Sequence, residues 1–337
     1  MTTGLPPFEP PWAMQNPHLQ SALRSIGVSR WLAHRRSAKL RENEQRWLMD
    51  GGDGVRLQGF FTPAAVQSKG LAVLLHGWEG SSASSYMLTT GTRLLNEGYD
   101  VFRLNFRDHG DSHALNPGIF HSCRLDEVIY ALADLQRRTH ARSWKISGFS
   151  LGGNFALRVA LKGPAAGLDV NRCVAICPVL NPDNVLKLME NGPTFYESYY
   201  NRKWAESVKL KQSYFPDRYD YDAFFGLRSM RERTRLLATR HYGFDSLDDY
   251  FEGYAVDRDK LSPLTVDSTI VTSADDPVVP VSDIESLPDN PKLEVMVTRH
   301  GGHCGYLKNW KLESWAEDLI VNRFEGVGQG AMQNNRE

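Results

Sequence analysis

Lys145-Ile146-Ser147-Gly148-Phe149-Ser150-Leu151-Gly152-Gly153-Asn154 carries a Gly-x-Ser-x-Gly pattern at Gly148, Ser150 and Gly152. The strand-like run Trp144-Lys145-Ile146-Ser147 precedes it, and the helix-like run Asn154 to Leu161 follows. The pattern alone is weak, because Gly and Ser are common in turns. Its setting between a strand and a helix is what gives it meaning. A chain that turns sharply from strand to helix forces the serine into a strained conformation and needs glycine on both sides. The hydroxyl is then expected at the carboxyl edge of a sheet, over a helix N-terminus.

Upstream, Gly70-Leu71-Ala72-Val73-Leu74-Leu75 is a continuous apolar run, expected of a strand covered on both faces. It ends in His76-Gly77-Trp78-Glu79-Gly80-Ser81-Ser82, followed by a helical stretch from Tyr86 to Asn96. The next strand, Asp100 to Phe106, opens into Arg107-Asp108-His109-Gly110-Asp111-Ser112. Leu125, Val128, Ile129, Leu132 and Leu135 recur at helical spacing. Downstream of the serine, Val170–Ile176, Ser268–Ser273 and Lys292–Thr298 read as further strands, and 310–324 as a closing helix. Alternating strands and helices predict an α/β fold, a mostly parallel twisted sheet with helices on both faces. A hairpin through the turn Gly51-Gly52-Asp53-Gly54 predicts an antiparallel edge.

The remaining segments break this rhythm. Residues 1–35 form an N-terminal arm with a Pro-rich, irregular start, expected to dock through Trp12, Asn16-Pro17-His18-Leu19-Gln20 and Trp31. Residues 182–262 are rich in Tyr, Phe, Arg and Asp and too long for a plain connection. They are expected to form an inserted helical cap over the active edge of the sheet. The core is then 36–181 and 263–325, and the Gly- and Asn-rich 326–337 is a flexible tail.

Composition narrows the functional classes. Net charge is -1, and no basic arm is present, so nothing points to nucleic acid or an anionic membrane. No apolar run approaches the roughly 18 residues of a spanning helix. The first eleven residues lack the charged and apolar regions of a signal peptide. The expectation is a soluble, cytoplasmic protein. The four cysteines, Cys123, Cys173, Cys177 and Cys304, are too few for a disulfide framework and lack zinc-site spacing. They read as small core residues, with Cys304 only incidentally beside a histidine.

A serine hydroxyl needs a base within hydrogen-bond reach, and the base needs an orienting carboxylate. Histidine suits the base because its pKa lies near operating pH. His300 and His303 compete for that role in Arg299-His300-Gly301-Gly302-His303-Cys304-Gly305; the glycines before and after His303 favour it. Asp275 and Asp276 compete for the acid, and the run Asp276-Pro277-Val278-Val279-Pro280 after a strand favours Asp276. Each candidate follows a strand's carboxyl end, where open α/β sheets bind ligands. The N–H groups of Leu151 and Trp78 are the candidate oxyanion donors. His76, His109 and His113 read as structural, as does His18 in the arm.

With these residues assembled, the chain resembles the α/β-hydrolases over nearly its whole length. It is similar in particular to the YheT-like branch, through Asn16–Gln20, His76–Ser82, Asn105–Ser112, Gly148–Asn154, Asp275-Asp276-Pro277, Gly301-Gly302-His303 and Gly243–Tyr250. The resemblance implies a Ser150, Asp276, His303 triad and esterase activity on carboxylic esters, with neither metal nor organic cofactor. Eukaryotic relatives are associated with medium-chain acyl esters, phospholipids and acyl transfer to alcohols. Asp108 departs from the branch, which usually carries Gly there, and Trp78 stands where Leu is commoner. The aromatic cap predicts an apolar acyl pocket, hence a serine carboxylesterase for short-to-medium acyl esters. Acyl transfer to alcohols and a non-catalytic receptor are the alternatives, and the oligomeric state stays open.

Overall fold

The computed structural model describes residues 5–24 and 27–326. The parts of the arm and tail expectations that fall on 1–4, 25–26 and 327–337 lie outside these residues.

Eight strands form one sheet in the order β1-β2-β4-β3-β5-β6-β7-β8. They are β1 (Gln45–Asp50), β2 (Arg56–Thr62), β3 (Leu71–Leu75), β4 (Asp100–Leu104), β5 (Trp144–Phe149), β6 (Val170–Ile176), β7 (Asp267–Ser273) and β8 (Leu293–Thr298). The pairings β1–β2 and β2–β4 are antiparallel. From β4 to β8 every pairing is parallel. Burial explains the apolar strands. Along β3, Leu71, Val73 and Leu75 enter one core, while Ala72 and Leu74 enter the other. A strand buried on both faces has no reason to alternate in polarity.

The helices that matter here are α1 (Pro17–Leu23), α2 (Gly27–Arg36), α3 (Ser85–Asn96), α4 (Leu125–Thr139), α5 (Leu151–Lys162), α6 (Pro182–Asn191), α7 (Thr194–Tyr214), α8 (Met230–Leu237), α9 (Leu247–Glu252) and α10 (Trp315–Phe324). Leu132 of α4 and Phe155 of α5 pack on one face of the sheet; Leu94 of α3 and Ile320 of α10 pack on the other. Helices α6 to α9 all fall between β6 and β7. No helix among the described residues is long and apolar enough to cross a membrane.

Two expectations about local structure need correction. Trp12 and Trp31, expected to dock the arm, are exposed; beyond its irregular Pro-rich start the arm is helical. Asn16 starts α1 by accepting the N–H of Leu19 at 3.0 Å, with Pro17 at the first helical position. A short helix at Ala38–Glu42 precedes the hairpin. The closing helix begins at Trp315, not at 310. Leu312 takes a left-handed φ of 60°, and Lys308 N–H bonds to the Glu313 carbonyl at 2.8 Å, so 310–314 is a turn.

Candidate active site

The site is assembled at strand ends. Chain order reverses about β3, which has β4 on one side and β5 on the other. Such a switch point opens a crevice beyond the carboxyl ends of the strands. Trp78 follows β3 and Ser150 follows β5, side by side at that crevice. Asp276 follows β7 and His303 follows β8.

Ser150 sits at φ 54°, ψ -119°, outside the ordinary regions for a residue with a side chain. The flanking glycines are steric necessities. A Cβ on Gly148 would lie 2.0 Å from the Gly152 carbonyl oxygen, and one on Gly152 would lie 2.4 Å from the Leu75 and His76 oxygens. The turn can therefore bring strand and helix this close only without those methyl groups. Ser150 N–H bonds to the Ile176 carbonyl at 2.8 Å, which anchors the turn to β6.

Ser150 Oγ lies 2.9 Å from His303 Nε2, and His303 Nδ1 lies 2.9 Å from Asp276 Oδ2. Asp276 is itself fixed, since its Oδ1 accepts the N–H groups of Val278 at 2.8 Å and Val279 at 3.0 Å. Burial opposes a charged imidazole here, but the adjacent Asp276 carboxylate outweighs it and holds the His303 pKa well above the ordinary value. The rival pair is also formed, but apart from the serine. His300 Nδ1 lies 3.3 Å from Asp275 Oδ2, and Asp275 Oδ1 accepts the Gly302 N–H at 2.9 Å. Asp275 thus braces the loop that carries His303.

The loop after β3 is held by the histidines that the sequence reads as structural. His76 Nδ1 contacts the Gly77 carbonyl at 2.8 Å, and its Nε2 accepts the Phe106 N–H at 3.2 Å. His109 Nδ1 contacts the Arg107 carbonyl at 2.7 Å, and its Nε2 accepts the Glu79 N–H at 3.2 Å. Burial holds both rings neutral, His76 at about 4. Gly77 N–H donates to Tyr86 Oη at 3.0 Å. The N–H groups on either side of Trp78 are thus occupied. Those of Trp78 and Leu151 have no partner among the described residues.

Two cavities meet at Ser150. One, of about 110 Å³, is lined mainly by apolar groups, among them Val185, Leu186, Met189, Trp204 and Phe251. The other, of about 300 Å³, is polar, lined by Glu79, Ser84, Lys203, His303 and Cys304. Trp78 stands between them, stacked on Tyr200 at 5.6 Å and edge-on to Trp204 at 5.1 Å.

Several residues of this site carry no legible signal in the sequence. Ser21 of α1 accepts the backbone N–H of His303 at 2.8 Å. Glu79 faces the polar cavity, where burial pushes its carboxyl up to about 8 against the pull of Lys203. Lys203 of α7 bonds to the Glu79 carbonyl at 2.8 Å. Nothing in the residue types singles these out, because each depends on which helix crosses the strand ends.

The sequence pattern of the alpha/beta hydrolase fold family matches residues 72–309, well over half of the chain. The chain belongs to the α/β-hydrolase family. Within it, the similarity falls in the YheT-like branch. The chain is 27% identical to YheT of Escherichia coli, named as a candidate esterase, over 93% of this chain and 91% of that one. It is 24% identical to a Synechocystis protein also named as a candidate esterase, over 94% and 92% of the two chains. Among solved structures, the Pyrococcus furiosus esterase Pf2001 matches with TM-score 0.56 and 17% identity, over 85% of this chain and 91% of that one. At such identity the likeness concerns the α/β-hydrolase fold alone.

Proposed function

We propose that this α/β-hydrolase is a serine carboxylesterase acting on short-to-medium acyl esters through an acyl-enzyme. The observation that carries the reading is the unbroken relay from Ser150 Oγ to His303 Nε2 and from His303 Nδ1 to Asp276, each link 2.9 Å. The relatives named as esterases support ester chemistry, as does the monoacylglycerol lipase of Saccharomyces cerevisiae, 22% identical over 84% of this chain.

In this mechanism Ser150 Oγ attacks the ester carbonyl while His303 Nε2 takes its proton. Asp276 holds the tautomer and stabilises the imidazolium that forms. The N–H groups of Trp78 and Leu151 receive the negative oxygen, and the N-terminus of α5 favours charge there. His303 then returns the proton to the leaving alcohol. Water, deprotonated by His303, attacks the acyl-enzyme and releases the acid. The apolar cavity takes the acyl chain, under helices α6 to α9 acting as a cap.

Intact mass after incubation with a fluorophosphonate tests the reading. One adduct is expected on the wild type and none on Ser150→Ala, with turnover of nitrophenyl esters in the variant reduced by roughly 10⁶-fold. No adduct on folded wild type, or near-wild-type hydrolysis by the variant, overturns it. Ethyl ester forming in place of free acid when ethanol is added would instead assign acyl transfer.

A further inference from the structure

Cys177, His303 and Cys304 bring two sulfurs and a ring nitrogen within 4.8 Å of one another, and all three residues are buried. Among the described residues it is the one group of three or more His, Cys, Asp or Glu side chains gathered this closely. The spacing in the sequence gives no hint of it, because the donors come from two strand ends. Cys177 follows β6, and His303 and Cys304 lie in the loop after β8. The hydrolysis derived above uses neither thiol.

Both cysteines are held in an unusual way. Cys177 has φ 45° and Cys304 φ 58°, left-handed values that a small apolar core residue has no need to adopt. The sulfurs make long contacts: Cys177 with Tyr306 Oη at 3.4 Å and the Gly302 carbonyl at 3.8 Å, and Cys304 with the Ile176 carbonyl at 3.7 Å. Cys177 Sγ also accepts the backbone N–H of Cys304 at 3.4 Å, which ties the two residues together.

We propose that Cys177, His303 and Cys304 form an inhibitory site for a thiophilic divalent cation such as Zn²⁺ or Cd²⁺. Two thiolates and an imidazole suit such ions, and the set contains no carboxylate that would favour Mg²⁺ or Ca²⁺. In a tetrahedral site of this kind the donor atoms lie about 3.5–3.8 Å apart, so closing the cluster asks for side-chain shifts of about 1 Å. The ion has a route in, because His303 and Cys304 line the polar cavity beside Ser150. Binding releases the thiol protons to solvent and leaves a coordination position toward that cavity. Whichever ring nitrogen His303 offers, it is withdrawn from Ser150 or from Asp276. Occupancy therefore stops the relay.

The test titrates Cd²⁺ into reduced full-length protein and follows the ultraviolet thiolate-to-cadmium charge-transfer band. Saturation at one equivalent is expected for the wild type and for Ser150→Ala. Cys177→Ser and Cys304→Ser should weaken the affinity roughly tenfold or more, as even outer-shell changes do at metal sites. Cys123→Ser and Cys173→Ser, which leave the cluster whole, should not. The activity arm rests on the esterase reading. Zn²⁺ should suppress hydrolysis over the range in which it displaces Cd²⁺, and a chelator should restore it. Each variant's inhibition is read against its own metal-free rate. Absence of the band at one equivalent overturns the site, as does an unchanged band in the Cys177→Ser/Cys304→Ser double variant. A band that behaves as expected in a protein without measurable hydrolysis supports the site and defeats only the esterase reading.

Discussion

Ser21 accepts the backbone N–H of His303 at 2.8 Å, across 282 residues of chain. The same helix presses against the loop from other directions. A Cβ on Gly302, which has φ +54°, would lie 2.4 Å from the Pro17 carbonyl oxygen. Gln20 is wholly buried, and it both donates to the Leu307 carbonyl at 3.2 Å and accepts the Leu307 N–H at 2.7 Å. The arm is thus the wall against which the histidine loop is set. Ser21→Ala leaves a buried N–H unpaired, at a cost of about 1–3 kcal/mol. Because small displacements of a base are expensive, kcat is expected to fall roughly tenfold with KM little changed. Ser21→Thr keeps the hydroxyl and should restore most of the rate. Chemical denaturation and steady-state kinetics of both variants check this, and equal losses in the two would count against a positioning role.

The pH dependence follows from His303. Its pKa is raised, and in the proposed mechanism only the neutral imidazole takes the serine proton. kcat/KM should therefore climb with pH along a limb centred above the ordinary value of about 6.5. Stability runs the other way. A raised pKa means that the charged His303–Asp276 pair stabilises the fold fully below the unfolded value and loses that contribution as pH rises through the folded one. Asp276→Asn removes the carboxylate. The rate should drop by about 10⁴-fold, and the residual limb should move to lower pH. A pH–rate profile of both forms tests this, and an unmoved limb would contradict it.

The parts of the molecule that could be read in the sequence are those set by short-range rules. The buried run at Leu71–Leu75 and the Gly-x-Ser-x-Gly turn announce a covered parallel sheet and its crevice, because strand burial and turn sterics act within a few residues. That Ser150, Asp276 and His303 come together is legible because each follows such a strand. The arm is not. Asn16-Pro17 is a helix start, but nothing local says that Ser21 and Gln20 face a loop near residue 303. Glu79 and Lys203 are likewise ordinary charged residues until α7 is laid across the strand ends. The start of α10 departs from its local signal for the converse reason. Trp310 and Leu312 suit a helix locally, yet the contacts of Lys308 and Trp315 hold them in a turn.

The apolar cavity predicts chain-length selectivity. Leu186 and Met189 are on successive turns of one face of α6, and both line it. Leu186→Trp adds bulk where the end of an acyl chain would lie. Each methylene excluded from such a pocket is worth about 1–3 kcal/mol, or roughly 10–200-fold in kcat/KM. The variant should favour acetate over hexanoate nitrophenyl esters relative to the wild type, with acetate hydrolysis little affected. A parallel loss on both would mean that the acyl chain lies elsewhere.

The last prediction concerns Asp108, where the family resemblance leads one to expect glycine. Its φ of 57° explains the glycine, and its contacts explain the aspartate. Asp108 Oδ1 lies 2.7 Å from Lys211 Nζ of α7, and Oδ2 accepts the Phe120 N–H at 2.8 Å. Both side chains are almost fully buried, and Lys211 also donates to the His113 carbonyl at 3.2 Å. Burial lifts the Asp108 carboxyl to about 6 in spite of the lysine. Such a pair is poor evidence of net stability, yet breaking one side strands a buried charge. Asp108→Gly alone should therefore destabilise by about 3–5 kcal/mol, the relief of backbone strain notwithstanding. Asp108→Gly combined with Lys211→Met removes both charges, and it should recover most of that loss. If the double variant is instead as unstable as the single variants added together, the two residues are not coupled and α7 is held to the sheet by its apolar contacts alone. Urea denaturation of the four proteins in the cycle decides between these outcomes.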